Sequence, residues 1–337
     1  MTNKVTKCRT IYIDEYTDIP IIGANSFGLV DRDTNVIELK PITGCNLSCT
    51  FCSVDEGPTT KKKVDFVVGK DYLVDEFKKL VKYKESTPIY AYINVHGEPL
   101  MYEPIIELIR DLKQIEGVIC GIITNGTLLS EKMIDSFAKV GLDRINISLN
   151  AFSKEKSKEL AGNSGYNVDR LCDMIKYANN KIEVVVAPIY LHGINDTEME
   201  DIIRFIAQLQ KENSDGFPIL GIQNFLRYKL GRNPCREYPW EKFNALMKEW
   251  EDKYNIDLSG KDDKFYNIFA TKKLMKPLKK NDVLKAKVVL PDRFDGQCFA
   301  RANGRLISII ECRAKPGASV KIRIIRDKDN IFVGTPV

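Results

Sequence analysis

Apolar runs alternate with amphipathic stretches over the first two thirds of the chain. Six segments have the length and apolar character of buried strands: Val36–Ile42, Ile89–Val95, Val118–Thr124, Arg144–Leu149, Ile182–Pro188 and Ile219–Leu226. Several are apolar almost without interruption, which is typical of strands covered on both faces. Between them lie stripes at helical spacing, for example Leu73, Val74, Phe77 and Leu80. The pattern predicts parallel strands joined by right-handed crossovers, and therefore an α/β barrel or partial barrel of six units.

This alternation stops near residue 233. Trp240–Tyr254 reads as a helix, and a basic connector follows it to residue 282. From residue 283 to the end, short apolar/basic alternations are separated by turn pairs such as Asp295-Gly296 and Pro316-Gly317, which predict a small all-β barrel. The expected organisation is an N-terminal extension (1–34), a barrel (35–232), a helical and basic connector (233–282) and a β-barrel (283–337).

Composition narrows the class of protein. Of the 337 residues, 44% are hydrophobic and 29% charged, as in a globular protein with a sizeable core. The sequence has no apolar run of membrane-spanning length and no apolar leader, so we expect a cytoplasmic protein that does not bind membranes. Nine cysteines in such a chain favour a reducing compartment over a disulfide scaffold.

The charge is unevenly distributed. Residues 261–337 carry 18 Lys and Arg against 8 Asp and Glu, whereas the rest of the chain carries 33 against 38. A basic C-terminal part on a slightly acidic body is expected of a nucleic-acid-binding appendage. A lysine-rich solvated surface is the alternative.

The strongest chemical signal is the segment Gly44-Cys-Asn-Leu-Ser-Cys-Thr-Phe-Cys52. Cys45, Cys49 and Cys52 have the spacing C-x3-C-x2-C, so three thiolates can hold three irons of a [4Fe–4S] cluster and leave the fourth iron open. Closely spaced cysteines also bind zinc, but the nearest further candidate ligand, His96, is distant in sequence. An electron-transfer ferredoxin needs a fourth cysteine, and none follows in this loop.

This cysteine loop resembles that of the radical S-adenosylmethionine (SAM) enzymes, in which an aromatic residue precedes the third cysteine. Phe51 occupies that position. The resemblance implies a partial (β/α)6 barrel, a [4Fe–4S] cluster, and SAM bound through its amino and carboxylate groups to the open iron. It further implies reductive cleavage of SAM to a 5′-deoxyadenosyl radical, with an electron donor of the ferredoxin or flavodoxin type.

The resemblance also assigns SAM-binding positions at successive strand ends. Gly97, Glu98 and Pro99 match the family's Gly-Gly-Glu-Pro segment, with His96 in place of its first glycine. That departure fits only if His96 adopts the local backbone conformation without strain. The other implied cofactor-binding residues are Thr124 and Asn125 after the third strand, and Ser148 and Asn150 on one side of the fourth.

Cys235 is the candidate catalytic residue. It lies in a turn-rich loop just after the last predicted strand, flanked by Arg232 and Arg236, two cations that would favour its thiolate. Cys298 and Cys312 are expected to be isolated, and Cys120 and Cys172 to be core residues.

The C-terminal segment resembles a TRAM domain, a small β-barrel found on RNA-modifying enzymes, through Pro316-Gly317 and the strand Val320–Arg326. With the radical SAM motifs, it predicts an enzyme that modifies a nucleoside in tRNA or another structured RNA. Two alternatives stay open. One is a radical SAM enzyme acting on a peptide or small metabolite, and the other is a non-catalytic iron–sulfur RNA-binding protein.

Overall fold

The structure is a computed structural model that describes residues 8–212, 218–258 and 267–337. Residues 1–7 of the expected N-terminal extension and residues 259–266 of the expected connector therefore lie outside the described residues. The chain divides into two units. The first comprises Met1–Gly44, Thr60–Ile119 and Phe269–Val337, and the second comprises Cys45–Thr59 and Cys120–Ile268.

The first unit contains a small α/β layer. Its strands are β1 (Arg9–Ile13), β2 (Gly28–Asp31), β3 (Val36–Lys40), β4 (Val64–Val68) and β5 (Ile89–Ile93), with helices α1 (Lys70–Lys84) and α2 (Ile105–Lys113). β3 pairs in parallel with β5 and antiparallel with β2, while β1 and β4 form a separate parallel pair. β1, β2 and β4 fall outside the strands predicted from the sequence.

The second unit contains four parallel strands in the order β10-β8-β7-β6. Strand β6 (Val118–Thr124) enters this unit at Cys120. The other elements follow in chain order: α3 (Glu131–Val140), β7 (Arg144–Ile147), α4 (Lys154–Ala161), α5 (Val168–Asn179), β8 (Glu183–Val186), β9 (Ile189–Tyr190), α6 (Asp196–Glu212), β10 (Ile219–Leu220), β11 (Gln223–Asn224) and α7 (Trp240–Tyr254). The buried face of these strands is apolar, as at Ile145 and Ile147 of β7.

The six predicted strands are all present, and each begins within one residue of the expected position. The sixth is broken into β10 and β11, so only its first two residues pair with β8. The helix Trp240–Tyr254 has the predicted bounds. These elements confirm the predicted α/β class.

The C-terminal residues of the first unit form a closed five-stranded barrel. Its strands are β12 (Val283–Pro291), β13 (Cys298–Ala302), β14 (Arg305–Ile309), β15 (Ser319–Arg326) and β16 (Val333–Pro336). They are arranged as β12-β13-β14-β16-β15, with β15 pairing back onto β12. β14 and β16 are parallel, and the remaining pairs are antiparallel. Closure leaves no free edge, as the sequence predicted.

The barrel packs on other parts of its own unit. Phe299 of β13 meets Phe27 and Phe66 edge to face, with ring centroids 5.6 and 5.7 Å away. The Leu306 amide of β14 donates to the Ile22 carbonyl at 2.9 Å. Between these contacts, Gly23 has a φ of +130°, and a Cβ there would lie 2.0 Å from the Leu306 carbonyl oxygen. The close approach therefore requires glycine.

Candidate active site

The three motif cysteines lie in the loop between β3 and β4. All three residues are half-buried. Backbone amides point at two of the sulfurs: Leu47 N lies 3.4 Å from Cys45 Sγ, and Glu56 N lies 3.3 Å from Cys52 Sγ. Amide donors of this kind stabilise thiolate sulfur and tune iron–sulfur clusters. The loop is therefore built to hold negatively charged sulfur.

Cys49 shows why such a loop needs a cation. Burial, together with the neighbouring Cys45 and Cys52, raises the pKa of the Cys49 thiol to about 12, and Arg232 opposes that rise. A metal that binds sulfur offsets the cost of holding a buried thiolate beside two other cysteines, because coordination displaces the thiol proton. The donor set of three thiols with amide donors fits an iron–sulfur cluster.

Within residues 8–212, 218–258 and 267–337, no three His, Cys, Asp or Glu side chains are arranged to hold a single metal ion. A [4Fe–4S] cluster does not require three side chains around one metal ion. Each of its cysteines binds a different iron at a separate corner.

Arg232 fastens the cysteine loop in place. Its guanidinium donates to the carbonyls of Cys49 and Glu56, both at 2.9 Å, and forms an ion pair with Asp55 at 2.7 Å. Its own amide donates to the Cys52 carbonyl at 2.8 Å. One arginine thus contacts two of the three cysteine positions through their backbone. The sequence suggested Arg232 as a neighbour of the Cys235 thiol, and its role in the loop was not foreseen.

We expect Arg232→Met to lower the iron content after reconstitution. It should also lower the free energy of unfolding by about 2–4 kcal/mol, because four loop acceptors, the three above and the Thr59 hydroxyl, lose their donor. Arg232→Lys should fall between Met and wild type, since an ammonium cannot reproduce the guanidinium fork. Iron analysis, visible absorption and denaturant unfolding measure these effects. Arg236→Met, at an exposed arginine of the same loop, is the control and should match wild type. Equal iron content in both Met variants would contradict the role given to Arg232.

Phe51 and Cys235 belong to one apolar cluster. Phe51 is 7% exposed and packs with Ala151, Leu160, Leu191 and Phe225, while Cys49 and Cys235 lie at the partly buried edge. The structure thus places Cys235 in the same cluster as a motif cysteine. Burial, followed by Asp196, raises the pKa of Cys235, so the expected stabilisation of its thiolate by Arg232 and Arg236 is wrong.

The end of β6 also contacts the cysteine loop. The Asn125 side-chain amide donates to Asn46 Oδ1 at 2.9 Å and lies 3.7 Å from Cys45 Sγ. Thr124 is buried, and its hydroxyl oxygen accepts from the Gly126 amide at 3.0 Å. Of this pair, Asn125 reaches the loop directly, whereas Thr124 shapes the turn that follows the strand.

Ser148 and Asn150 are half-buried where β7 ends. The Ser148 amide donates to the Thr124 carbonyl at 3.0 Å. Asn150 Oδ1 accepts from the Ile189 amide at 2.8 Å, and the Asn150 carbonyl accepts from Asn195 Nδ2 at 2.9 Å. Asn150 thereby links the end of β7 to the start of β9.

In the first unit, the Gly97-Glu98-Pro99 segment packs on the residue that precedes Cys45. Glu98 N donates to the Gly44 carbonyl at 2.9 Å, and Gly44 N donates to the His96 carbonyl at 3.2 Å. A Cβ on Gly97, whose φ is +152°, would lie 1.9 Å from Gly44 O. One Glu98 oxygen accepts from Leu100 N at 3.0 Å and caps the 3₁₀ turn Pro99–Met101.

His96 fits this segment without backbone strain. The positive φ falls on Gly97, and His96 is absent from the non-glycine residues with positive φ in the described chain. Burial, with Lys40, Lys62 and Arg293 nearby, holds the pKa of His96 well below its usual value. Asn25 Nδ2 lies 3.4 Å from His96 Nε2. The imidazole is therefore neutral at physiological pH.

A cluster of hydrogen-bonded polar side chains near Cys235 was not predicted. The Tyr190 hydroxyl donates to Asp196 Oδ1 at 2.7 Å and lies 2.9 Å from His192 Nδ1, and His192 stacks on Tyr238 with centroids 4.2 Å apart. Burial, followed by Asp196, raises the pKa of Tyr190, so its hydroxyl stays protonated. The sequence signal was a tyrosine and a histidine two residues apart after an apolar strand.

Comparison with known proteins places this arrangement in a family. The model of the radical SAM superfamily matches residues 39–206. Uncharacterized protein MJ0103 of Methanocaldococcus jannaschii is 38% identical over 99% of this chain and 82% of its own length. The chain therefore belongs to the radical SAM superfamily, whose members use a [4Fe–4S] cluster and SAM. That membership confirms the cofactors expected from the cysteine loop and defines the chain as a radical SAM enzyme.

More distant relatives match a smaller part of the chain. GTP 3′,8-cyclase of Limosilactobacillus fermentum is 31% identical over 52% of this chain and 51% of its own length. Streptococcus suis SuiB has the same fold over 70% of this chain and 49% of its own, with a TM-score of 0.50 and 17% identity. The chain thus spans about half the length of each. None of the helices in the described residues has the length and apolar character needed to cross a membrane.

Proposed function

We propose that this radical SAM enzyme modifies a nucleoside in tRNA or another structured RNA, and that the C-terminal barrel binds the RNA backbone. The observation that carries the proposal is a basic face on β12 and β15. Lys285 and Lys287 of β12 and Lys321 and Arg323 of β15 are exposed, while Ala286, Val288, Ile322 and Ile324 between them are buried.

The strand register concentrates this charge. Lys285 lies directly opposite Lys321, and Arg323 lies opposite Val283. Like charges directly opposite each other destabilise a sheet unless an anion is bound between them. In the part of the chain that the structure describes, no ion pair is recorded for these four basic side chains. A polyanion such as RNA supplies the missing negative charge.

The strand order of the barrel, with its parallel β14–β16 pair, is that of an OB-like barrel, which supports the TRAM-like assignment. OB-folds bind oligonucleotides on the face of their second and third strands. Here those strands are β13 and β14, and they are covered by the chain itself: Phe299 packs on Phe27 and Phe66, and Leu306 is hydrogen-bonded to Ile22. The basic face of β12 and β15 is therefore the surface left for RNA.

Cys45, Cys49 and Cys52 are the proposed cluster ligands. The resemblance to the family gives the proposed SAM-binding residues: Gly97, Glu98 and Pro99 in the first unit, and Phe51, Thr124, Asn125, Ser148 and Asn150 in the second. Cluster and SAM together supply a 5′-deoxyadenosyl radical that removes a hydrogen atom from substrate. A ferredoxin- or flavodoxin-type protein is the proposed electron donor. Asn125 and the Leu47 and Glu56 amides orient the sulfurs, and the apolar cluster around Phe51 excludes water.

Other substrates remain as alternatives. The names of the cyclase relatives indicate action on GTP, a purine nucleotide, which agrees with a nucleoside as the reacting group. A free nucleotide, however, does not explain a row of four exposed basic side chains along two strands. Release of deoxyadenosine by reconstituted, reduced enzyme distinguishes all of these from a non-catalytic RNA-binding protein.

Binding of bulk tRNA should weaken steeply with salt. Four phosphate contacts predict a slope of log K against log salt of about −3, because each contact releases counterions. Fluorescence anisotropy over a salt series measures it, with GTP and a neutral peptide as competitors. A slope near zero, or complete competition by GTP at equal phosphate concentration, would argue for a small substrate instead. Nucleoside mass spectrometry of tRNA from a deletion strain then identifies the modified base.

A further inference from the structure

Cys298 and Cys312 meet inside the C-terminal barrel. Their sulfurs lie 2.9 Å apart, and the residues are 14 positions apart in sequence. Both are buried, at 1% and 4% exposure, in the core formed by Val288, Ile309 and Phe332. The sequence-based expectation that these two cysteines are isolated is therefore wrong.

The backbone holds both residues near the same end of the barrel. Cys298 begins β13, where it pairs with Pro291 on one side and Ile309 on the other. Cys312 follows β14 by three residues, and its amide donates to the Gly296 carbonyl at 2.7 Å. The strand register and this backbone hydrogen bond thus hold the two residues next to each other.

We propose that Cys298 and Cys312 form a reversible disulfide that closes the β13–β14 hairpin. The reaction is exchange with a low-molecular-weight disulfide. One thiolate attacks a sulfur of the reagent and expels a thiol, and the second cysteine then attacks the mixed disulfide and expels the other thiol. Both protein thiols lose their hydrogens, the reagent is reduced to two thiols, and the protein gains one S–S bond. No metal or SAM takes part.

Access explains how the exchange starts. Burial raises the pKa of Cys298, and the hydrogen bond to Cys312 adds to that rise, so the Cys298 thiol is protonated in the closed barrel. Glu311, next to Cys312, is exposed. Local opening of the turn after β14 therefore exposes Cys312 first, and Cys312 is the residue that meets the reagent.

The disulfide would stabilise more than the hairpin. Between β12 and β13, buried Arg293 donates to the Val64 carbonyl of β4 at 2.9 Å and forms an ion pair with Asp65. The Lys63 amide in turn donates to the Arg293 carbonyl at 3.2 Å. Cys298 directly follows this loop, and the Cys312 amide donates to Gly296 within it, so a bond between the two residues restricts opening of the barrel where it contacts β4.

Peptide mapping of the wild-type holoenzyme tests the bond. After anaerobic treatment with oxidised glutathione, the protein is unfolded in iodoacetamide and digested with trypsin. We expect Phe294–Arg301 linked to Leu306–Arg313, with the mass of the two peptides less two hydrogens. Recovery of both peptides carrying carbamidomethyl groups would overturn the proposal. Cys172, also buried, is the internal control and should be alkylated in every sample.

Thermal unfolding tests the consequence. The oxidised protein should have a Tm roughly 5 °C higher than the same protein treated with a phosphine reductant, because the bond restricts the unfolded chain. Cys312→Ala should abolish this difference, whereas Cys172→Ala should retain it. An equal Tm for the mapped disulfide form and the reduced form would overturn the stabilising role. Mapping uses the wild-type chain, so it stands even if a variant folds poorly.

Discussion

Cys49→Ser is expected to abolish bound iron and to reduce deoxyadenosine release to background, a loss of roughly 10³-fold or more. Cys49 packs at the edge of the Phe51 cluster, and its carbonyl accepts from the Arg232 guanidinium. Serine keeps nearly the same volume, so the backbone of the loop should persist. What disappears is a thiolate, and a hydroxyl is a poor ligand for iron in a sulfur-rich site. Iron and sulfide analysis, visible absorption and product assay measure the effect.

Cys235→Ser is the matched control, because both cysteines border the same apolar cluster. It should retain wild-type iron and colour. Deoxyadenosine release without substrate should also be unchanged, so that any loss in substrate turnover reports directly on Cys235. Equal iron loss in the two variants would mean that a change in packing alone removes the iron, and it would not support Cys49 as an iron ligand. Iron retained by Cys49→Ser would remove Cys49 from the ligand set.

The main-chain elements were largely predictable because buried strands and amphipathic helices leave periodic apolar patterns. The strand starts at Val36, Ile89 and Val118 agree with the structure. Segments such as β1 and β4, which pair in parallel with each other, were missed. Ile219–Leu226 was predicted as one strand, but the chain turns after Leu220 and resumes pairing at Gln223. Such turns depend on tertiary hydrogen bonds, which the periodic pattern of apolar residues does not encode.

Side-chain roles that depend on distant partners were less predictable. Glu198 lies in the first turn of α6. Its carboxylate accepts from the Phe152 and Ser153 amides at 2.6 and 2.8 Å, at the start of another helix. Although burial acts to raise the pKa of Glu198, these hydrogen bonds lower it. Arg232 likewise acts on residues about 180 positions earlier in the chain. Sequence spacing reports local geometry, whereas these contacts are set by the fold.

The cysteines illustrate both cases. Cys45, Cys49 and Cys52 could be proposed as cluster ligands from their spacing, because all three lie within eight residues. Cys298 and Cys312 were taken as isolated, since only the register of β13 and β14 brings their sulfurs together. A set of cysteines close together in sequence can therefore be recognised from the sequence. A pair brought together by a barrel can be recognised only when the strand pairing is known.

The triple variant Lys285→Glu, Lys321→Glu and Arg323→Glu should weaken tRNA binding roughly 100-fold at constant salt and make the salt slope shallower by about two. All three side chains point out of the barrel, so the apolar core beneath them is unaffected. Deoxyadenosine release in the absence of RNA should stay at the wild-type rate, since none of these residues belongs to the proposed cofactor site. Only turnover of an RNA substrate should fall.

Lys132→Glu, Lys139→Glu and Lys158→Glu form the matched control. These lysines are also exposed but lie on α3 and α4 of the second unit, and the change in net charge is the same. If both triple variants lost RNA binding equally, the effect would come from overall charge and the basic face would have no special role. Neutral replacement of Lys285, Lys321 and Arg323 by glutamine separates the loss of phosphate contacts from the repulsion between like charges. It removes phosphate contacts while relieving the repulsion between Lys285 and Lys321, so RNA binding should fall while the free energy of unfolding stays equal or rises slightly.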